Sequence, residues 1–296
     1  NKNQTIASNI SLYRAKIYRT IAQETTQSLT LQQKEALVSA IHYFQKASIL
    51  ADSEAISQGI GILRSNGFTV KRLQDNVLSI SSQNQSIPLL MFYRLNIKSD
   101  LLFTVPYPIN EKTAADLANL FFSLLPVKML FLDSEERFRD KEYLKINADS
   151  LLTRLIDRYQ YSAVQFRFSG NYTQEHHHKN NENQLFVTGK LDQSVPIKLW
   201  QSLLPELEIN WGASRLTSVL SENKKEFSEL VVNIEGARHL MGGALDNVNN
   251  ENSTLLKVQQ FDIRHWLEDF LDDLPDKGSQ KYRRWNSNEL ILWNIE

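Results

Sequence analysis

Four short runs are apolar along nearly their whole length: residues 101–105, 127–132, 163–168 and 230–234. Five or six residues is the length of a strand, not of a helix. A strand that is apolar on both sides needs cover on both faces, which is the situation inside a parallel or mixed sheet. The stretches between the runs carry helical spacing. In 113–125, Ala114, Leu117, Ala118, Phe121 and Leu125 fall on one stripe, and 147–159, 196–204 and 261–271 are further expected helices. A strand at 207–211 completes the alternation. The pattern predicts the α/β class: a mixed, mostly parallel sheet covered by helices on both faces.

The first 66 residues carry a different period. Leu12, Ala15, Ile17 and Ile21 recur at helical spacing, so a helix is expected over 12–22. Thr30 stands three residues before Gln33, the signature of a capping box, and opens a helix over 33–51 with Ala36, Leu37, Ala40, Ile41, Phe44 and Ala47 on one face. A third helix is expected over 53–66 with Gly67 as its stop, although Gly59 and Gly61 weaken its propensity. Beyond Gly67 the period changes to that of strands at 68–72, 77–81 and 87–95, with Gln74-Asp75-Asn76 as a hairpin turn. These features divide the chain into a helical N-terminal segment, 1–66, packed on an α/β domain, 67–296, for which the resemblance described below implies a hydrolase-like fold. Residues 172–184 and 241–254 are expected loops, and 290–293 near the end is a candidate edge strand.

Composition narrows the function classes. The chain has 33 basic and 34 acidic side chains, a net charge of -1, which argues against a general nucleic-acid or membrane-surface binder. There is no cysteine, so disulfides, Cys-ligated zinc, iron–sulfur clusters and thiol nucleophiles are excluded. No apolar run reaches the roughly 18 residues of a transmembrane helix. The chain opens Asn1-Lys2-Asn3-Gln4 without an initiator Met, as a mature or trimmed chain would. Taken with the missing cysteines, an extracytoplasmic, periplasmic location is expected, with a cytoplasmic one as the alternative.

In open α/β sheets ligands bind beyond the carboxyl ends of the strands, so the residues after each strand are the candidates. They include Tyr107 and Glu111 after the first apolar run, and Asp133, Glu135 and Arg137 after the second. Arg167 lies within the third, and Glu235, Arg238 and His239 follow the last. Charged strand ends also occur as salt-bridged rims. His176, His177 and His178 are the most visible local feature; their flanks, Glu175 and Lys179-Asn180-Asn181, are those of a solvated loop tip. G-x-S-x-G, P-loop, G-x-G-x-x-G and H-E-x-x-H motifs are all missing.

The order of segments over about 87–240 resembles zinc-dependent α/β amidohydrolases of the carboxypeptidase-like type, including poly-γ-glutamate hydrolase-like and N-formylglutamate-amidohydrolase-like proteins. The resemblance is carried by Phe103-Thr104-Val105-Pro106-Tyr107-Pro108 with Thr113, by Asn147-Ala148-Asp149-Ser150-Leu151, by Val164-Gln165-Phe166-Arg167 and by Val232-Asn233-Ile234-Glu235. It implies a zinc-binding His in the turn after the first strand, an acidic ligand shortly after, another His on a later strand and a Glu as general base. Here Tyr107 stands at the first His position, Asn110 or Glu111 at the acidic one, and Arg167 at the later His. Only Glu235 keeps a catalytic type. Arg is effectively always protonated and does not ligate, and catalytic zinc needs about three protein ligands.

The resemblance therefore implies a catalytically degenerate, metal-free relative, a pseudoenzyme acting as a binding or assembly module, with Glu235 catalytic only if any activity persists. Its cleft would be formed by Tyr107, Glu111, Asp133, Glu135, Arg137, Arg167, Arg238 and His239. It would need no cofactor and would take a protein partner or an acidic peptide-like ligand, plausibly in the bacterial cell envelope; no nucleic acid is expected. A second expectation is a divergent metal-dependent amidohydrolase whose zinc is rebuilt on His176, His177 and His178. A third is a purely structural soluble domain of an envelope complex.

Overall fold

In the computed structural model, the described residues are 2–23, 27–50, 52–106, 108, 111–132, 150–159, 161–168, 184–188, 208–211, 227–232 and 237. Three helices come first: α1 (Lys2–Ile21), α2 (Leu31–Leu50) and α3 (Ser53–Ser65). α1 starts ten residues earlier than the apolar spacing predicts, because its first turns carry few apolar residues to register the period. The capping box before α2 forms reciprocally: Gln33 N donates to Thr30 Oγ1 (3.2 Å) and Thr30 N to Gln33 Oε1 (3.0 Å). Asp52 caps α3, its Oδ1 accepting from the amides of Glu54 and Ala55. α3 stops where expected, with Gly67 at φ +81°, a left-handed conformation that glycine takes without a Cβ clash.

Among the described residues the strands then build one nine-stranded sheet. They are β1 (Phe68–Arg72), β2 (Val77–Ser82), β3 (Leu90–Arg94), β4 (Leu101–Val105), β5 (Met129–Leu132), β6 (Ser162–Phe168), β7 (Gln184–Thr188), β8 (Glu208–Trp211) and β9 (Phe227–Val232). Helix α4 (Lys112–Leu124) joins β4 to β5, and α5 (Leu151–Tyr159) lies between β5 and β6. The spatial order is β1-β2-β3-β5-β4-β6-β9-β7-β8. Its centre, β5-β4-β6-β9, is parallel, with Leu102 opposite both Met129 and Ala163. β1, β2 and β3 form an antiparallel meander on one side of this centre, and β7 pairs antiparallel with β9 on the other. This is the mixed α/β sheet expected from the apolar runs. β7 is a correction: Gln184 falls at the end of an expected loop but begins a strand, because a five-residue run with one polar start resembles its polar flank.

Helices cover both faces. On one, α2, α3 and α5 enclose Phe68, Val70, Leu78, Ile80, Met91, Tyr93, Leu102, Met129, Phe131 and Ala163 in a single buried cluster. On the other, α1 and α4 meet Phe92, Phe103 and Phe166; the Tyr13 and Phe92 ring centroids are 4.8 Å apart, and those of Phe103 and Phe166 are 5.0 Å. α1 docks on α4 through a buried polar group. Arg14 Nε donates to Asp116 Oδ1 (2.9 Å), Arg14 Nη2 to Oδ2 (3.3 Å) and the Tyr18 hydroxyl to Oδ2 (2.6 Å). Every lone partner here would be costly, so this cluster fixes one register between the two helices. No helix among the described residues is long and apolar enough to cross a membrane. The expected helices over 196–204 and 261–271, the loop over 241–254 and the edge strand over 290–293 lie outside the described residues, as does the loop over 172–184 apart from Gln184.

The two helical glycines have opposite environments. A Cβ at Gly59 would sit 2.6 Å from Phe44 Cε1 and 3.1 Å from the Ala40 carbonyl oxygen, whereas at Gly61 it would meet nothing within 4 Å. Gly59→Ala is expected to destabilise the fold by roughly 1–3 kcal/mol through overpacking between α2 and α3. Gly61→Ala is expected to stabilise it by up to about 1 kcal/mol through helix propensity. Denaturant midpoints of the two variants check both signs. Alkaline stability follows from three buried groups. Burial pushes the Tyr159 and Tyr161 hydroxyls up to about 12 and the Lys128 ammonium down to about 8. The Lys128 contribution is complete above the ordinary lysine value near 10.5 and fades as pH falls through about 8. The tyrosine contribution is complete below about 10 and fades as pH rises through about 12. Stability should therefore rise from pH 8 to about 10 and fall beyond it, and Lys128→Met should reduce the rise; chemical unfolding across that range is the measurement.

Candidate functional site

The parallel centre has one point where the chain reverses its direction of travel across the sheet. From β4 the chain passes through α4 to β5 on one side. From β5 it passes by α5 to β6 on the other side of β4, and from there the order runs on away from β4. β4 and β6 are thus neighbours whose next strands lie on opposite sides, the arrangement beyond whose carboxyl ends open α/β sheets bind ligands. The strands set which described residues stand at that position. Thr104 pairs with Gln165, so Arg167, two residues on, lies past the last paired residue of β4. Glu111, between β4 and α4, is the N-cap residue of α4.

These two candidates meet. Arg167 Nη2 donates to Glu111 Oε1 at 2.8 Å, and Arg167 Nε lies 3.0 Å from Oε1 and 2.9 Å from Oε2. The backbone N–H of Phe168 donates to Oε2 at 2.9 Å. The Arg167 and Glu111 side chains are 17% and 12% exposed, so the pair is largely out of water. That arrangement explains a departure from ordinary capping: Glu111 makes no side-chain bond to the first turn of α4, because its carboxylate is drawn across to β6. A planar guanidinium fork and a backbone donor occupy both carboxylate oxygens, the strongest geometry available to such a pair.

The next residue is the one the sequence analysis missed. Lys112 opens α4, is 8% exposed, and its Nζ has no hydrogen-bond partner among the described residues. Burial pushes its ammonium below the ordinary lysine range, partly offset by the carboxylate of Asp116 one turn along. Asp116 is itself bonded to Arg14 and Tyr18. In the sequence Lys112 reads as a solvated residue before an amphipathic helix, and nothing in its spacing signals burial.

Tyr107, Asp133, Glu135, Arg137, Glu235, Arg238 and His239 lie outside the described residues, as do His176, His177 and His178. His42 is exposed on α2. Among the described residues no group of three or more His, Asp or Glu is placed to hold a metal ion. Of the positions the resemblance would give to zinc, Glu111 and Arg167 are described, and they do not fit a metal. Both Glu111 oxygens are engaged, and the group engaging them is a fixed cation that opposes a dication. Searches of protein-family models, curated proteins and solved structures return no match to this chain.

A double-mutant cycle measures the pair. Glu111→Gln is expected to cost roughly 1–3 kcal/mol, since it weakens the acceptor of a largely desolvated guanidinium. Adding Arg167→Met should recover part of that loss, because the buried charge then leaves with its partner. Urea midpoints of the two single variants and the double variant give the coupling.

Proposed function

We propose that the chain is a metal-free binding module, related in segment order to the carboxypeptidase-like amidohydrolases, whose ligand site is the crevice between β4 and β6. The observation that carries this is the Glu111–Arg167 pair at the carboxyl ends of those strands. A hydrolase of that type must acidify a water and polarise a carbonyl with its metal. An acidic position whose two oxygens are committed to a guanidinium and a backbone N–H contributes neither a ligand nor a base. The same pair ties the start of α4 to the end of β6 in fixed geometry beside the proposed crevice, and fixed geometry is what a preorganised binding site requires. The cell-envelope setting and a protein or acidic peptide-like partner belong to this proposal as its expected context.

Metal analysis of the purified chain is the direct test. Less than about a tenth of an equivalent of zinc, with no chelator-sensitive amidase activity on acidic peptides, is the expected result. One tightly bound equivalent lost on Glu111→Gln would reject the module in favour of a rebuilt metal hydrolase.

A further inference from the structure

α1 carries the cations Lys2, Arg14, Lys16 and Arg19 and no acidic side chain, in a chain whose net charge is -1. Arg14 is turned inward to Asp116, whereas Arg19 is exposed and Lys16 half-buried. Leu12, Lys16 and Arg19 follow one another at helical spacing on a single stripe. Leu12 is 37% exposed and is one of two exposed large apolar side chains among the described residues. The edge of the sheet adds a third exposed or half-exposed cation. Val70 of β1 belongs to the cluster under α2, α3 and α5, so its neighbours Thr69 and Lys71 face the α1 side. Lys71 pairs with Ser79 and Ser79 with Phe92, the ring against which Tyr13 of α1 packs. Lys16 is one turn along from Tyr13. Burial first, and then the charges of Lys71 and Arg19, hold the Lys16 ammonium below the ordinary lysine range. Among the described residues none of the three cations has an ion pair. Like charges gathered without a counter-charge repel one another, and an acidic group docked among them reverses the sign of that interaction.

We propose that Leu12, Lys16 and Arg19 of α1, together with Lys71 of β1, form a docking surface for an acidic segment of a partner protein. β1 stands four places from β4 in the sheet, so this surface is separate from the β4–β6 site and does not depend on it. One leucine offers too little apolar area for a helix to bury in a membrane surface. No aromatic ring is among the exposed large apolar side chains of the described residues, so none is presented there to stack a nucleobase. An acidic polypeptide needs neither. Arg19 offers its carboxylates a planar fork, Lys16 and Lys71 offer point charges, and Leu12 gives an apolar contact beside them.

The test is fluorescence anisotropy of labelled poly-L-glutamate titrated with the full chain in low salt, with phosphatidylserine vesicles and duplex DNA as comparison probes. Poly-L-glutamate is expected to bind, and about 0.5 M sodium chloride to abolish the binding by screening. Combining Arg19→Glu with Lys71→Glu should weaken it at least about tenfold. Lys46→Glu, at an exposed cation of α2 on the other face of the sheet, should change it less than about twofold. Lys16→Met should weaken binding and also raise the Tm in low salt by roughly 1–4 °C, because it removes a half-buried charge from beside two others. Melting curves of every variant establish that each is folded. The inference falls if poly-L-glutamate does not bind, or if the combined Arg19 and Lys71 reversals leave binding unchanged. It falls equally if Lys46→Glu weakens binding as much as they do, or if Lys16→Met lowers the Tm. Tighter binding of vesicles or DNA than of poly-L-glutamate overturns it in favour of a membrane or a nucleic acid.

Discussion

Strands that are apolar on both sides cannot stand bare on either face, and everything else in this fold answers that constraint. β4 and β5 are buried at nearly every position. Two layers of helix are therefore required, and among the described residues the crossover helices between parallel strands supply α4 on one face and α5 on the other. Among the described residues further cover comes from the first 65: α1 joins α4, while α2 and α3 join α5. The N-terminal helices are thus integral to the sheet's burial. Gly59 shows how tight that cover is, since α3 approaches Phe44 of α2 with no room for a methyl group.

Burying so much apolar surface forces the polar groups between layers to find partners. Arg14, Tyr18 and Asp116 do so as a closed cluster between α1 and α4. Lys128 reaches the Ile97 carbonyl and the Ser48 hydroxyl and lies over the Tyr93 ring, tying α2 to the segment before β4. Glu111 and Arg167 do the same at the end of the parallel centre. Lys112 Nζ, like the Tyr93 hydroxyl and Asn119 Oδ1, has no hydrogen-bond partner among the described residues, and it opens the helix that follows β4.

Much of the fold was legible in the chain. The capping box of Thr30 and Gln33, the stop at Gly67 and the runs at 101–105 and 163–168 each depend on neighbours close in sequence, and each formed as expected. The N-terminal half of α1 is too polar to show a period by itself, and β7 has an apolar run, Leu185-Phe186-Val187, too short to stand apart from the polar stretch before it. The candidate site was half legible. Glu111 and Arg167 could be chosen because they follow or end apolar strands. Their pairing could not, since it joins positions 56 residues apart.

The sequence by itself determined the class of the fold and the absence of cysteine chemistry, because hydrophobic period and residue type are local properties. Only the tertiary structure decided that the acidic position after β4 is bonded to an arginine at the end of β6, and that the lysine beside it is buried without an acceptor. Those facts depend on which strands become neighbours and which helix closes over them, and strand order is set by the packing of the whole sheet.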